Sequence, residues 1–295
     1  MNLAILEQML LLLPLVLGAY ISISLLKLPD LGLESAYLFG AVLAAIIPDF
    51  HAPAISGGMM IIAALFGGAS VGLATSFLNQ ILHVPFLLAA IIVNGLFHGI
   101  TQFAMRTPML SLAGRSNPLE GISTEFLALG SEHTELGMLL LIACGVVGLV
   151  GFIFRQQLGY AFAIYGNNPG FFKQFTISTK YVVMSGVVLA NACAGLSGFL
   201  FAQSNGFADL SMGYGVVLLC ITALMLGRLM FRTHRPTVLV PLSGLAAYFL
   251  LQQVLLQAGL DLKYFNAFQA LFVMAALVLF NRDLAKKTTI DHLGV

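Results

Sequence analysis

Long apolar runs, separated by short polar or Gly/Pro-containing stretches, make up nearly all of this chain. The runs are continuous and do not alternate, which sets them apart from the short two-sided strands of a membrane barrel. A helix needs ~20 apolar residues to cross a bilayer. Nine runs approach that length, over residues 3–26, 33–47, 55–78, 86–104, 136–154, 181–203, 216–229, 237–256 and 264–280. The pattern predicts an all-α polytopic bundle of about nine transmembrane helices, within a range of about eight to ten. The second run begins at Glu34 and is short for a full crossing, so it reads as a broken or partly re-entrant span. Pro14 is expected to bend the first. Gly68 and Gly72 in the third run, and Gly95 and Gly99 in the fourth, are small-residue pairs of the kind that let membrane helices approach closely.

Composition agrees: 59% of the 295 residues are hydrophobic and 8% charged, against roughly 25% charged in ordinary soluble domains. Cys144, Cys193 and Cys220 all fall inside apolar runs without CxxC spacing and read as small packing residues. The first run has no basic segment before it and no A-x-A-like cleavage site after it, so it is expected to be a span and not a cleaved signal. Of the 13 Lys and Arg residues, one set of loops holds ten (Lys27, Arg155, Lys173, Lys180, Arg228, Arg232, Arg235, Arg282, Lys286, Lys287) and the other holds three (Arg106, Arg115, Lys263). The positive-inside rule then puts the 155–180 loop and the C-terminus in the cytoplasm, and the N-terminus and the 105–135 loop outside.

The chemistry is notable for its gaps. The chain has no GxxxxGK[ST], no HExxH and no GxSxG, and its six histidines have no metal-ligand spacing. An enzyme is not expected. Acidic residues within spans are few, and Glu7 and Glu34 read as lying near span ends; with no acidic or basic residue placed at mid-span, the driving energy is expected to enter through a cytoplasmic contact. Polar uncharged residues are the candidates for a translocation pathway. Asn94, His98, Thr101 and Gln102 recur at helical spacing on one face of the fourth run, and Asn191 and Gln203 lie in the sixth. Helix-to-helix hydrogen bonding is the competing reading for each of them.

The longest basic interruption is 155–180, which contains Arg155, Lys173 and Lys180 and no acid. Asn167-Asn168-Pro169-Gly170 is a helix-start signal, since Asn caps free N–H groups and Pro suits the first helical position. Phe171 and Phe175 then share one face of a short helix. From spacing alone, that helix could lie on the anionic leaflet or dock on a protein.

Several stretches together carry a resemblance. They are Leu28-Pro29-Asp30-Leu31-Gly32-Leu33-Glu34-Ser35, His83 to Ala89, Arg106 to Leu110, Tyr165 to Pro169, and the block from Asn191 through Gly195-Leu196-Ser197-Gly198 to Met212-Gly213-Tyr214-Gly215. The chain resembles the permease subunits of bacterial ABC importers in the branched-chain amino acid/ribose-type superfamily, and within it the tryptophan/tyrosine-type uptake permeases. That resemblance implies one transmembrane permease domain over 1–295, a type II importer-like bundle in the bacterial inner membrane. It implies a homodimer served by ABC ATPase subunits and by a periplasmic or lipid-anchored substrate-binding protein. ATP and Mg would sit on the ATPase, with no cofactor on this chain. The solute would be an amino acid or related compound, possibly aromatic. Asn167, Asn168, Pro169, Phe171, Phe172, Lys173 and Phe175 would form the ATPase-coupling helix. A stand-alone secondary carrier or facilitator is the alternative reading.

Overall fold

The computed structural model describes residues 3–46, 53–112, 134–174, 178–231, 235–257, 259 and 267–274. Ten helices with named bounds, a further helical stretch at 267–274 and a two-stranded ribbon are assigned in them. Helix α1 is Leu3–Ala19, continued by a π-helical turn at Tyr20–Leu25; α2 is Gly32–Ile46, α3 Pro53–Gln80 and α4 Phe86–Met105. After strand β1, Met109–Ser111, come α5 (Thr134–Arg155), α6 (Gln157–Asn167), α7 (Gly170–Gln174) and α8 (Thr179–Asn205). Strand β2, Phe207–Asp209, leads to α9 (Val216–Met230) and α10 (Leu239–Gln257). Residues 267–274 are helical and are the part of the ninth predicted run that the described residues cover.

The chain is an all-α polytopic membrane protein. Among the described residues six helical stretches are long and apolar enough to cross a membrane, and two shorter apolar helices, Gly32–Ile46 and Val216–Met230, accompany them. Both short helices follow a non-helical segment, extended before α2 and a short strand followed by turns before α9. The chain leaves α1 at Lys27, whose left-handed φ of 56° stops the helix, and runs extended through Pro29 to Asp30 before α2 begins. It leaves α8 at Gly206 (φ 73°) and resumes a helix only after Gly215 (φ 81°). The broken second span expected from sequence is therefore present. The seventh, which reads as an ordinary crossing, is shortened in the same way.

Helices α1 and α8 form the centre. They run antiparallel: Ser204 donates to Glu7 at one end (2.7 Å), Ser197 donates to the Leu11 carbonyl (2.5 Å), and Gly186 meets Leu26 near the other end. Their neighbours are reciprocal, with α2 and α3 packing on α8 and α9 and α10 packing on α1. The order long helix, non-helical segment, short helix, long helix thus occurs twice, over residues 3–80 and 179–257, in opposite directions, as in inverted repeats.

Close backbone approach holds the α2–α3–α8 side together. A Cβ on Gly40 would run into the Gly195 backbone, and one on Gly68 into the Asn191 carbonyl; one on Gly72 would come within 2.8 Å of the Val187 carbonyl oxygen and the Val188 Cα. The Gly68/Gly72 pair therefore packs as its spacing predicts. Gly95 and Gly99 differ: a Cβ added at either would meet nothing within 4 Å. They fall on the side of α4 where Leu88, Ile91, Ile92 and Leu96 are exposed. Of the cysteines, Cys193 and Cys220 are buried and Cys144 is exposed. At the Glu7–Ser204 end the two strands pair antiparallel, Leu110 opposite Ala208. Beside them the Ser211 N–H and hydroxyl hold the exposed Asp209 carboxyl below the usual carboxylate range.

Replacing Gly195 by Val is expected to lower stability by about 1–3 kcal/mol through overpacking, read as a reduced unfolding midpoint in detergent. Gly145→Val, where the added Cβ meets open space, should leave the midpoint nearly unchanged.

Candidate functional site

The two non-helical segments bring the N-termini of α2 and α9 close together inside the bundle. Four N–H groups at each helix start lack an intrahelical acceptor, and hydrocarbon supplies none. Two carboxylates serve them. Asp30 Oδ1 accepts from the Gly32 N–H at 3.0 Å, capping α2, while its Oδ2 accepts from Asn191 Nδ2 at 2.9 Å. Asn191 also donates to the Val187 carbonyl at 2.9 Å. Asp30 and Asn191 are both fully buried, and Asn191 stands midway along the 27-residue α8. Glu34 reaches across to the other helix: its Oε1 accepts from the Gly215 N–H at 3.3 Å, with the Val217 N–H and the Asn94 side chain also directed to the carboxylate.

Glu34 therefore sits level with the middle of α4. This corrects the sequence reading that placed it near a span end: α2 starts at depth, so a residue in its first turn is deep as well. The inference drawn from an absence of mid-span charge falls with it.

Beside Glu34 is a cavity of about 180 Å³, lined by Glu34, Ser35, Leu38, Asn94, Gly95, His98, Leu210, Gly213 and Tyr214. The His98 and Tyr214 rings are 5.8 Å apart. One wall comes from α2, one from α4 and one from the turns before α9. The cavity thus offers a carboxylate, an amide, an imidazole and a phenol among aliphatic groups. That set suits a small solute with a cationic end and an apolar body.

Of the residues singled out by sequence for a pathway, Asn94 and His98 meet here. Thr101 is buried and donates to the Phe97 carbonyl at 2.7 Å. Gln102 is exposed, and Gln203 is half-buried farther along α8. Asn191 lies in the Asp30 cap. Glu34 and Tyr214 join the cavity without having been singled out.

The second candidate region is at the opposite end from the ribbon. Helix α6 ends at Asn167, and α7 begins after Pro169 as the Asn-Asn-Pro-Gly signal predicts, with the Phe171 N–H donating to the Asn168 carbonyl at 3.2 Å. Phe172 is buried, with its ring 6.4 Å from that of Tyr165. Phe171 projects outward. It borders a groove of about 280 Å³ lined by Tyr160, Ala163, Ile164, Asn167, Asn168, Arg235 and Pro236. Phe175 lies outside the described residues, as does the side chain of Lys173. Helix α6 itself is absent from the sequence reading, although Phe162 at its buried face is an apolar anchor.

Among the described residues no group of three or more His, Cys, Asp or Glu could hold a metal ion.

Asn191→Ala would leave one Asp30 oxygen buried without its donor. A loss of about 1–3 kcal/mol is expected, measurable as a lower unfolding midpoint of the purified protein.

Residues 1–279 match the family described as branched-chain amino acid transport system / permease component. An uncharacterized protein of Rickettsia prowazekii (strain Madrid E) is 31% identical over 265 residues, covering 87% of this chain and 89% of that protein. A protein of Clostridioides difficile (strain R20291) named tyrosine transport system permease protein is 28% identical over 231 residues, covering 78% of this chain and 73% of that protein. No solved structure matches the chain significantly.

Proposed function

The chain belongs to the branched-chain amino acid transport system permease family, and on that footing we propose that it is the membrane subunit of an ATP-driven importer for an amino acid. The chain is a transport subunit and not an enzyme. ATP would be hydrolysed on separate ATPase subunits docked at α7. A second copy of the permease would complete the pathway, and a binding protein would deliver solute at the ribbon end. Lys27, which bonds to Asn167, Arg155 and Arg228 all belong to the α7 end, and by the positive-inside rule they support a reading in which that end faces the cytoplasm of a bacterial inner membrane.

The observation that carries the reading is the form of α7. A five-residue helix is too short to be stable alone. It is anchored by Phe172 and turns Phe171 outward beside a groove. That is the form of a contact made to be gripped by another protein.

The cavity at Glu34 is the corresponding pathway element. Glu34 would take the ammonium of the solute, and the His98–Tyr214 pair would flank an aromatic side chain. The relative named for tyrosine transport supports an aromatic amino acid. One observation favours a different class: a carboxylate at depth is what a proton-coupled carrier would need. Uptake that stops on collapse of the proton gradient while cellular ATP is maintained would favour that carrier.

Phe171→Ala is expected to leave the permease folded but to reduce its stimulation of the partner ATPase by about tenfold, the loss of a ~1.4 kcal/mol contact. Undiminished stimulation in reconstituted vesicles would refute the docking role. Glu34→Gln should cut uptake of radiolabelled L-tyrosine while leaving ATPase stimulation in place; equal loss of both would point instead to a role in holding the helix starts.

A further inference from the structure

The end of α1 is an unusual meeting point. Its last turn, Tyr20–Leu25, is π-helical, a form that is rare and concentrated at functional positions. The hydroxyls of Ser22 and Ser24 are buried there without a hydrogen-bond partner among the described residues. Lys27 follows in a left-handed conformation.

Three parts of the molecule attach to this turn. From the α6–α7 loop, Asn167 Oδ1 accepts from Lys27 Nζ at 2.8 Å, while Asn167 Nδ2 is tied back to the Ala163 carbonyl at 2.9 Å. Beside it, Gly166 lies so near the Leu25 carbonyl that any Cβ would collide with it. From the end of α9, Arg228 Nη2 donates to the Ser24 carbonyl at 2.8 Å. From the start of α10, the Thr237 N–H donates to the Tyr20 hydroxyl at 3.4 Å. The way out of the turn is the short extended segment that ends in the Asp30 cap of α2.

Of the parts around the cavity, α2 is therefore held at this one turn through its lead-in, and α9, whose own lead-in supplies Leu210, Gly213 and Tyr214 to the lining, is held there by its far end. The α6–α7 loop has its own grip on the same few residues. A displacement of that loop has a direct route, through contacts each one side chain long, to the place where Glu34 meets Gly215.

We propose that the Ser24–Lys27 turn is the relay that converts movement of the α6–α7 loop into movement of α9 against α2 at the cavity, with Lys27 and Arg228 as its positioning residues. The proposal rests on the importer reading. Neither residue touches solute; each acts by keeping a moving part attached. Gly166 makes the loop side of the joint close.

The test places a reporter in the cavity. Gly95 lines it with open space around its Cβ position, and Cys144 is the exposed native cysteine. In a Cys144→Ala background, Gly95→Cys gives a thiol whose reaction rate with a small methanethiosulfonate reagent reports cavity access. The permease–ATPase complex is placed in nanodiscs and labelled with and without ATP plus vanadate. The parent rate is expected to change by about fivefold or more, the lower end of ordinary coupling between sites. Lys27→Met and Arg228→Met should each abolish that change while the complex stays assembled and binds nucleotide. Lys27→Arg should restore it.

Lys27→Met combined with Asn167→Ala should be no worse than either alone, since the two residues share one contact. A full nucleotide-dependent change in Lys27→Met and in Arg228→Met overturns the relay. So does additivity of the Lys27 and Asn167 effects, or a failure of Lys27→Arg to restore the response. A parent complex with no change sinks the importer reading itself and the relay with it. The two failures are distinguishable because only the second affects the parent.

Discussion

Helix starts buried in hydrocarbon are the constraint from which the arrangement follows. Backbone N–H groups there have no water to turn to, and leaving them without acceptors costs several kcal/mol. This chain interrupts its helices twice at that depth and answers each interruption with a carboxylate. Asp30 serves its own helix and is closed off by Asn191; Glu34 serves the opposite helix and remains half-buried at a cavity. One acid is consumed by structure, whereas the other is shared between structure and the cavity. The negative charges also suit the positive ends of the helix dipoles that they face.

The capped ends explain why the bundle has its particular shape. An extended segment needs a wall of neighbouring helices to cover it, and α1 and α8 supply that wall from the centre. Because the short helices start at depth and run in opposite directions, the space between their starts lies far from both surfaces. A solute site at that level is a common product of inverted repeats. The molecule's two ends then have different tasks. At the ribbon end, β1 and β2 pair the segments that lead out of α4 and out of α8. At the other end, α7 stands outward on a buried phenylalanine.

Much of this was legible in the sequence, though unevenly. Continuous apolar runs give away the long helices, because lipid imposes one requirement on every residue of a span. The glycines of α3 mark its packing face for the same reason. The break before α2 could be read because a short run follows Lys-Leu-Pro-Asp-Leu-Gly. The break before α9 could not: Met212-Gly213-Tyr214-Gly215 has the composition of a surface turn, and only the packing of Gly213 against Glu34 puts it inside. Glu34 was misplaced because a first-turn position normally marks the membrane surface. Asn94 and His98 were found by helical spacing, but that spacing does not say which side of α4 faces a cavity. Contacts such as Asp30 with Asn191 or Lys27 with Asn167 join residues far apart in the chain and leave no local pattern.

The glycine contacts among α2, α3 and α8 set a mechanical limit. Packed side chains absorb small shifts by changing rotamer, so helices joined through them can slide by fractions of an ångström. Where backbone rests on backbone, as Gly40 does on Gly195 and Gly68 on Asn191, no such slack exists. These three helices behave as a single stiff plate. Geometry changes around the Glu34 cavity must then come from the parts that lean on the plate without being fused to it: α4, whose own glycines face open space on their Cβ side, and α9.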